Sequence, residues 1–159
     1  MKILVVSDTH KKNDNYFKVL EQAGPFDMVI HCGDSEGSEY ALSAAAGCPF
    51  EIVAGNNDFF TDIPVEKELR IGKYKVLVTH GHHYRVSMGT ELIREEARAR
   101  GFDVVIYGHT HKPLISYGVD VTVVNPGSIS YPRQDGRVAS YMLMELDRFG
   151  ELHYTICYL

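Results

Sequence analysis

Cysteine is scarce in this sequence: Cys32, Cys48 and Cys157 stand far apart, with no Cys-x-x-Cys pair. That excludes a disulfide framework and a thiolate zinc site, leaving small, partly buried thiols suited to a reducing cytosol. Cys32 stands beside Gly33-Asp34, but nothing near it in the sequence activates the thiol. Long apolar runs are missing as well; none approaches the roughly 20 residues a membrane-spanning helix needs. The opening stretch is apolar only from Ile3 to Val6 before Ser7 and Asp8, too short for a signal-peptide core. A cytoplasmic protein without a membrane partner is expected.

An excess of positive charge is also lacking. Sixteen Lys and Arg face 21 Asp and Glu, for a net charge of −5, and the basic residues are scattered. The footprint of a long nucleic-acid partner is therefore absent. No like-charge block, low-complexity tract or repeat of solenoid period appears, which argues against disorder and repeat architectures. With 159 residues and 45% hydrophobic content, one domain over residues 1–159 with a substantial core is expected.

What the sequence does contain is a repeated grammar: a short β-branched apolar run ending in small and metal-philic residues. It occurs in segments 3–10, 28–34, 51–58, 75–82, 104–111 and 122–128. Continuous Val/Ile/Leu runs read as strands buried on both faces. Helical spacing falls between them over 15–23, over 38–46 with Ser38 as N-cap, and from N-cap Thr90 to Gly101 as the residue after the C-cap. After residue 111 come strand-like pieces at 114–118, 121–125, 139–146 and 151–159, separated by Gly118, Pro126-Gly127, Asp135-Gly136 and Phe149-Gly150. An α/β first half followed by a meander predicts mixed sheets packed face to face with helices outside.

Functional groups in such sheets collect on loops beyond the carboxyl ends of strands. Five successive strand ends deliver Asp8 with His10, Asp34, Asn56 with Asp58, His80 with His82, and His109 with His111. Each taken alone is an ordinary turn, cap or structural histidine; five in a row are not coincidence. Asp8, His10, Asp34, Asn56, His80, His109 and His111 form an oxygen and imidazole donor set without thiolate, suited to Mn, Fe, Co, Ni or Zn. Seven donors exceed one tetrahedral site, so two divalent metal ions sharing a carboxylate are expected. The i, i+2 spacing of Asp8/His10 and His109/His111 lets one segment supply two ligands if the loops are extended. Gly33, Gly55, Gly81 and Gly108 flank these residues and suit tight turns around a compact cluster.

In order, Asp8-x-His10, Gly33-Asp34, Gly55-Asn56-Asn57-Asp58, His80-Gly81-His82 and Gly108-His109-Thr110-His111 resemble the signature of the calcineurin-like metallophosphoesterases. The short length and Asn125-Pro126-Gly127-Ser128 are similar to its small bacterial and archaeal phosphodiesterase branch, which also contains the eukaryotic retromer scaffold subunit. The resemblance implies a four-layer α/β/β/α sandwich. It implies Asp8, His10 and His111 on one metal, Asn56, His80 and His109 on the other, and Asp34 bridging. It further implies manganese as the most effective ion and a metal-bridging hydroxide that attacks the phosphorus of a small phosphodiester.

One departure stands out. Where many members carry Gly-Asn-His, this chain has Asn57, which can donate a hydrogen bond to substrate but cannot transfer a proton. A preference for diesters with good leaving groups follows, or the use of His82 or His83 as substitute acid. Asp58 is expected to orient a site histidine. Tyr84, Arg85 and Arg133 are of kinds that grip phosphate, though such loop residues are commonly just solvated. Phe59-Phe60 reads either as core or as the interface of a homo-oligomer. The rival to catalysis is a protein-binding scaffold of the retromer-subunit type with vestigial metal sites.

Overall fold

The computed structural model describes residues 1–159. The elements run β1 (Lys2–Val6), α1 (Asp14–Ala23), β2 (Met28–His31), α2 (Glu39–Ala46), β3 (Phe50–Ile52), β4 (Glu66–Ile71), β5 (Tyr74–Thr79), α3 (Glu91–Ala99), β6 (Val104–Ile106), β7 (Pro113–Ser116), β8 (Thr122–Pro126), β9 (Ser140–Leu146) and β10 (Leu152–Tyr158). A 3₁₀ turn, His82–Tyr84, follows β5. The strands form two five-stranded sheets, ordered β10-β9-β1-β2-β3 and β4-β5-β6-β8-β7. In the first, β1, β2 and β3 are parallel; in the second, β5, β6 and β8 are parallel. The remaining strands join antiparallel.

The apolar runs are explained by burial on both faces. In β1, Ile3 and Val5 point between the sheets while Leu4 and Val6 point outward. Likewise Val76, Val78, Val104, Ile106 and Val124 fill the space between the sheets, and Leu77, Val105 and Val123 face outward. Tyr16 and Val19 of α1 and Leu42 of α2 cover the first sheet, and Ile93 and Ala97 of α3 cover the second. The architecture is thus two mixed sheets packed face to face with helices on both outer surfaces, the four-layer sandwich expected from the resemblance.

Two local expectations need correction. Ser38 and Thr90 do occupy N-cap positions, but neither makes a side-chain capping bond. Their backbones lie near ψ of 2° and 3° rather than in the extended region from which a capping oxygen reaches the first turn, and the Ser38 hydroxyl donates to Ser35 O instead. Gly101 behaves as read. At φ 70° it lets its own amide reach Arg98 O and the Phe102 amide reach Ala97 O, closing α3 over the Ala97–Phe102 contact.

Candidate metal centre

All the parallel strands deliver their carboxyl ends to one rim where the two sheets meet. The loop after β1 is laced to the loop after β2, with the Asp8 amide donating to Gly33 O and the His10 amide to Asp34 O. Within the second sheet the Gly108 amide donates to His80 O, and across the sheets the His109 amide donates to Asp8 Oδ2 at 3.1 Å. The seven expected donors converge at this rim.

They do so by a different route from the one expected. The loops are not extended: Asp8, His10, Asp34, His109 and His111 all have left-handed backbones, with φ between 44° and 67°. Each such residue costs about 1 kcal/mol or more, so surrounding structure must impose it, and clusters of such residues accompany functional sites. Thr9, between Asp8 and His10, turns inward and lies 3.1 Å from Nε2 of the buried His31. Burial holds the His31 pKa down at about 4, so it is a neutral support for the loop.

Asp8 and Asp34 are buried beneath the histidines. Asp8 Oδ1 lies 3.1 Å from His111 Nε2, 3.8 Å from His10 Nε2 and 4.0 Å from His80 Nε2, yet it has no hydrogen-bond partner. Asp34 Oδ2 lies between the two halves of the cluster, 3.7 Å from His10 Nε2 and 3.5 Å from His80 Nε2. Asn56 Oδ1 is 3.1 Å from His80 Nε2 and 2.9 Å from His109 Nδ1. Two trios have donor atoms within 4.8 Å of one another: Asp8, His10 and His111, and Asp8, Asp34 and His80. The second differs from the grouping implied by the resemblance, since Asp8 joins it.

The far side of each ring is fixed. His10 Nδ1 meets Glu36 Oε1 at 2.6 Å, His80 Nδ1 meets Cys32 O at 2.6 Å, and His111 Nδ1 meets Tyr131 O at 2.5 Å. A carbonyl only accepts, so Nδ1 of His80 and His111 carries the hydrogen; an ionised Glu36 asks the same of His10. Each neutral ring then turns an Nε2 lone pair toward the carboxylates, and the Nε2 atoms of His10 and His111 face each other at 3.3 Å. A proton on a ring relieves this crowding, and through it the histidines and aspartates shift one another's pKa. Burial opposes a charged His80, but Asp34 and Asp8 outweigh it and raise its pKa. Burial would likewise raise the pKa of both aspartates, yet His111 and His80 hold Asp8 low, and His80 and Asn57 hold Asp34 low.

The residues expected beyond the donor set fare unevenly. Asn57 is in place, its amide and its Nδ2 donating to Asp34 at 2.9 and 2.7 Å. His82 borders the cluster, its ring 5.4 Å from that of His80, but burial and the neighbouring histidines push its pKa down to about 4. That shift leaves it neutral at physiological pH. Asp58 touches no histidine. Its carboxylate accepts from the amides of Asp34, Glu36 and Gly55 and from Ser35 Oγ, at 2.6–3.2 Å, which makes it a tie between two loops. Asp58→Ala should cost on the order of 3 kcal/mol in chemical denaturation of metal-free protein, because several amides lose their acceptor; a change under about 0.5 kcal/mol would dismiss the tie. Tyr84 is held by Glu66 and Arg100 rather than free to grip phosphate. Cys32 is buried with its thiol pKa pushed up, as an inert core residue should be.

Phe59 and Phe60 are exposed, not core. With Tyr40, Lys11 and Asn57 they line a cleft alongside the donor cluster. A second cleft is lined by His10, Glu36, His111, Tyr131, Arg133 and Arg137, so Glu36 borders both. Glu36 and Tyr131 escaped the sequence reading. Tyr131 acts through its carbonyl, which no residue pattern announces, whereas Asp34-x-Glu36 repeats the spacing of Asp8-x-His10 and could have been noticed.

Residues 1–148 match the family model described as the calcineurin-like phosphoesterase superfamily domain. The chain is 33% identical over 148 residues to the probable metallophosphoesterase YsnB of Bacillus subtilis, covering 92% of this chain and 85% of that protein. It is 34% identical over 145 residues to a phosphodiesterase of Methanocaldococcus jannaschii, covering 80% and 83% respectively. The crystal structure of a Vps29 variant from Entamoeba histolytica superposes with a TM-score of 0.81 over 100% of this chain and 99% of that one; at 23% identity the likeness is one of fold. A five-loop donor cluster on a two-sheet sandwich, together with these matches, leads to one conclusion: the chain belongs to the calcineurin-like phosphoesterase superfamily.

Proposed function

We propose that this chain is a metal-dependent phosphodiesterase that holds two divalent cations, manganese foremost, and hydrolyses small phosphodiesters. The observation that carries the reading is Asp8 Oδ1, a buried carboxylate oxygen without a hydrogen-bond partner, ringed by imidazole nitrogens whose other sides are already committed. Acceptors facing acceptors in a buried cluster need protons or cations between them. In this reading Asp8, His10 and His111 hold one cation, Asn56, His80 and His109 the other, and the carboxylate of Asp34 is shared. When bound, the cations would supply Lewis acidity toward phosphoryl oxygens and lower the pKa of water.

The protein's own part is to position and to exclude. Glu36, Cys32 O and Tyr131 O fix the rings, as partners behind a metal-binding imidazole do. Asn57 Nδ2 can donate to a phosphoryl oxygen but cannot protonate a departing alkoxide. The leaving alcohol must therefore be a good one, and the cleft beside Asn57 with Tyr40, Phe59 and Phe60 suits a flat, aryl or nucleotide-like group.

The test is hydrolysis of bis(p-nitrophenyl) phosphate with added Mn and with chelator. Turnover should depend on Mn, a dialkyl diester should be much slower, and Asn57→His should narrow the aryl-to-alkyl ratio by about a hundredfold, the low end of what a general acid contributes. Absence of Mn-dependent turnover on any diester would favour the scaffold reading, in which the donors are vestigial and the surface binds protein.

A further inference from the structure

Arg133 and Arg137 both line the cleft that opens beside His10 and His111. Their backbone amides are engaged, Arg133 with His111 O and Arg137 with Gln134 O. Neither guanidinium has a hydrogen-bond or carboxylate partner, whereas Arg94, Arg98 and Arg100 on α3 and at its end are all paired. Unpaired arginines are ordinary on a surface. These two are set apart by how the segment carrying them is fastened.

Ser128 Oγ donates to Asp8 O and accepts from the amides of Ser130 and Tyr131. Tyr131 O receives His111 Nδ1, and the Arg133 amide returns to His111 O. The segment that carries Arg133 is thus tied to Asp8 and His111, two members of the donor cluster itself, and Arg137 follows in a turn closed by its own amide on Gln134 O. Lys12 Nζ lies 4.4 Å over the Tyr131 ring, a third cation at the same border. The only acid in the cleft is Glu36, and its Oε1 is turned to His10 Nδ1 at 2.6 Å.

Two guanidiniums carry two positive charges. A phosphate monoester carries about −1.5 to −2 near neutral pH, against a single charge on a carboxylate, and it accepts the forked donors of arginine. The cleft, about 600 Å³ in volume, has room for such a group on a small ligand. Glu36 also lines the aromatic cleft next to Asn57, so the two clefts share a wall at Glu36, whose Oε1 meets His10 Nδ1.

We propose that the Arg133/Arg137 cleft seats a second phosphate, so that the preferred substrates are phosphodiesters whose non-leaving arm ends in a phosphate monoester. The proposal rests on the phosphodiesterase reading above and deepens it. Hydrolysis breaks the bond between phosphorus and the leaving oxygen in the aromatic cleft, water supplies the new oxygen on phosphorus, and the product retained on the arginine side is a bisphosphate.

The experiment uses two chromogenic diesters that differ by one group, thymidine 5′-(p-nitrophenyl phosphate) and its 3′-phosphorylated counterpart. With Mn, the wild-type chain should prefer the 3′-phosphorylated ester by about tenfold or more in kcat/KM, chiefly through KM, as two charge-assisted contacts imply. In the Arg133→Gln/Arg137→Gln variant the ratio should fall to within about twofold of unity, since both contacts are gone. No preference in the wild type, or a preference that survives in the variant, overturns the proposal. A second arm measures calorimetric binding of thymidine 3′,5′-bisphosphate and thymidine 5′-monophosphate in chelator. Tighter binding of the bisphosphate, lost in the variant, supports the cleft even if neither ester is hydrolysed, in which case the phosphodiesterase reading alone fails. Equal binding of the two nucleotides counts against the cleft whatever the turnover.

Discussion

Asp34→Asn should lower Mn-dependent phosphodiester hydrolysis by more than about a thousandfold while leaving the fold intact; the groups behind metal ligands are already worth about 10- to 100-fold, and a shared ligand is worth more. Asp34 Oδ2 lies within 3.7 Å of Nε2 on both His10 and His80, so its charge serves both halves of the cluster. Its two oxygens also accept from Asn57, at 2.9 and 2.7 Å. An asparagine carries an acceptor on one side only. If its amino group takes the place of Oδ1 it meets the Asn57 amide, donor to donor; if it takes the place of Oδ2 it meets Asn57 Nδ2 and also donates into the histidine lone pairs a cation would use. Either orientation removes the negative charge that makes a shared site favourable. The backbone is unaffected, because the residue's amide still reaches Asp58 and its carbonyl still receives His10. On the two-cation reading, Mn stoichiometry by titration calorimetry should fall from two to one or none, and the rise in melting temperature expected of the wild type with Mn should shrink in parallel, since a ligand stabilises only through the sites it fills. A variant that binds two Mn ions and turns over at a wild-type rate would remove Asp34 from the shared position.

The strands and the candidate donor set were legible for one reason: β1, β2, β5, β6 and β8 are buried on both faces, which forces apolar runs, and the groups at their ends are chemically conspicuous. Burial on one face only leaves less of a mark. Strand β4 has charge at Glu66, Lys67, Glu68 and Arg70, as an exposed sheet edge should, and shows its strand character mainly through Leu69 and Ile71 packing inward. Its place beside β5 depends on the two-residue turn Gly72-Lys73, a feature of pairing rather than of composition. At the site, residue type announced Asp8 and His111 as donors but not the left-handed backbone by which they converge, since that conformation is imposed by lacing to Gly33, Asp34 and Tyr131. Asp58 shows the limit most sharply. A carboxylate next to ligands could hold a ring or a backbone, and only the fold decides that it holds the amides of Asp34, Glu36 and Gly55.

The glycines at the site raise the same issue of close approach, and Gly55→Ala puts it to the test. A β-carbon at Gly55 would sit 2.1 Å from Asp34 Oδ1 and 2.6 Å from the Asp34 amide nitrogen, inside any tolerable contact. The carboxylate cannot simply swing away, because Asn57 holds it on one side and the His10 and His80 rings stand on the other. Nor can the backbone retreat freely, since Asp58 clamps the amides of Gly55 and Asp34 together. The methyl group must therefore displace the carboxylate, the loop or both. Activity should fall by about a hundredfold or more, because misplacing a reacting group by about 1 Å is enough to cost that much. Gly47→Ala is the matched control. Gly47 ends α2 at φ 64° with nothing within 4 Å of an added β-carbon, so its cost is the left-handed backbone alone, about 1 kcal/mol in stability. Kinetics and thermal unfolding of both variants separate the two effects: Gly47→Ala should lower the melting temperature with kcat kept, and Gly55→Ala should lose turnover out of proportion to its stability. Equal, small losses in both would mean that the close packing of the Gly55 loop on Asp34 does not hold the site's geometry.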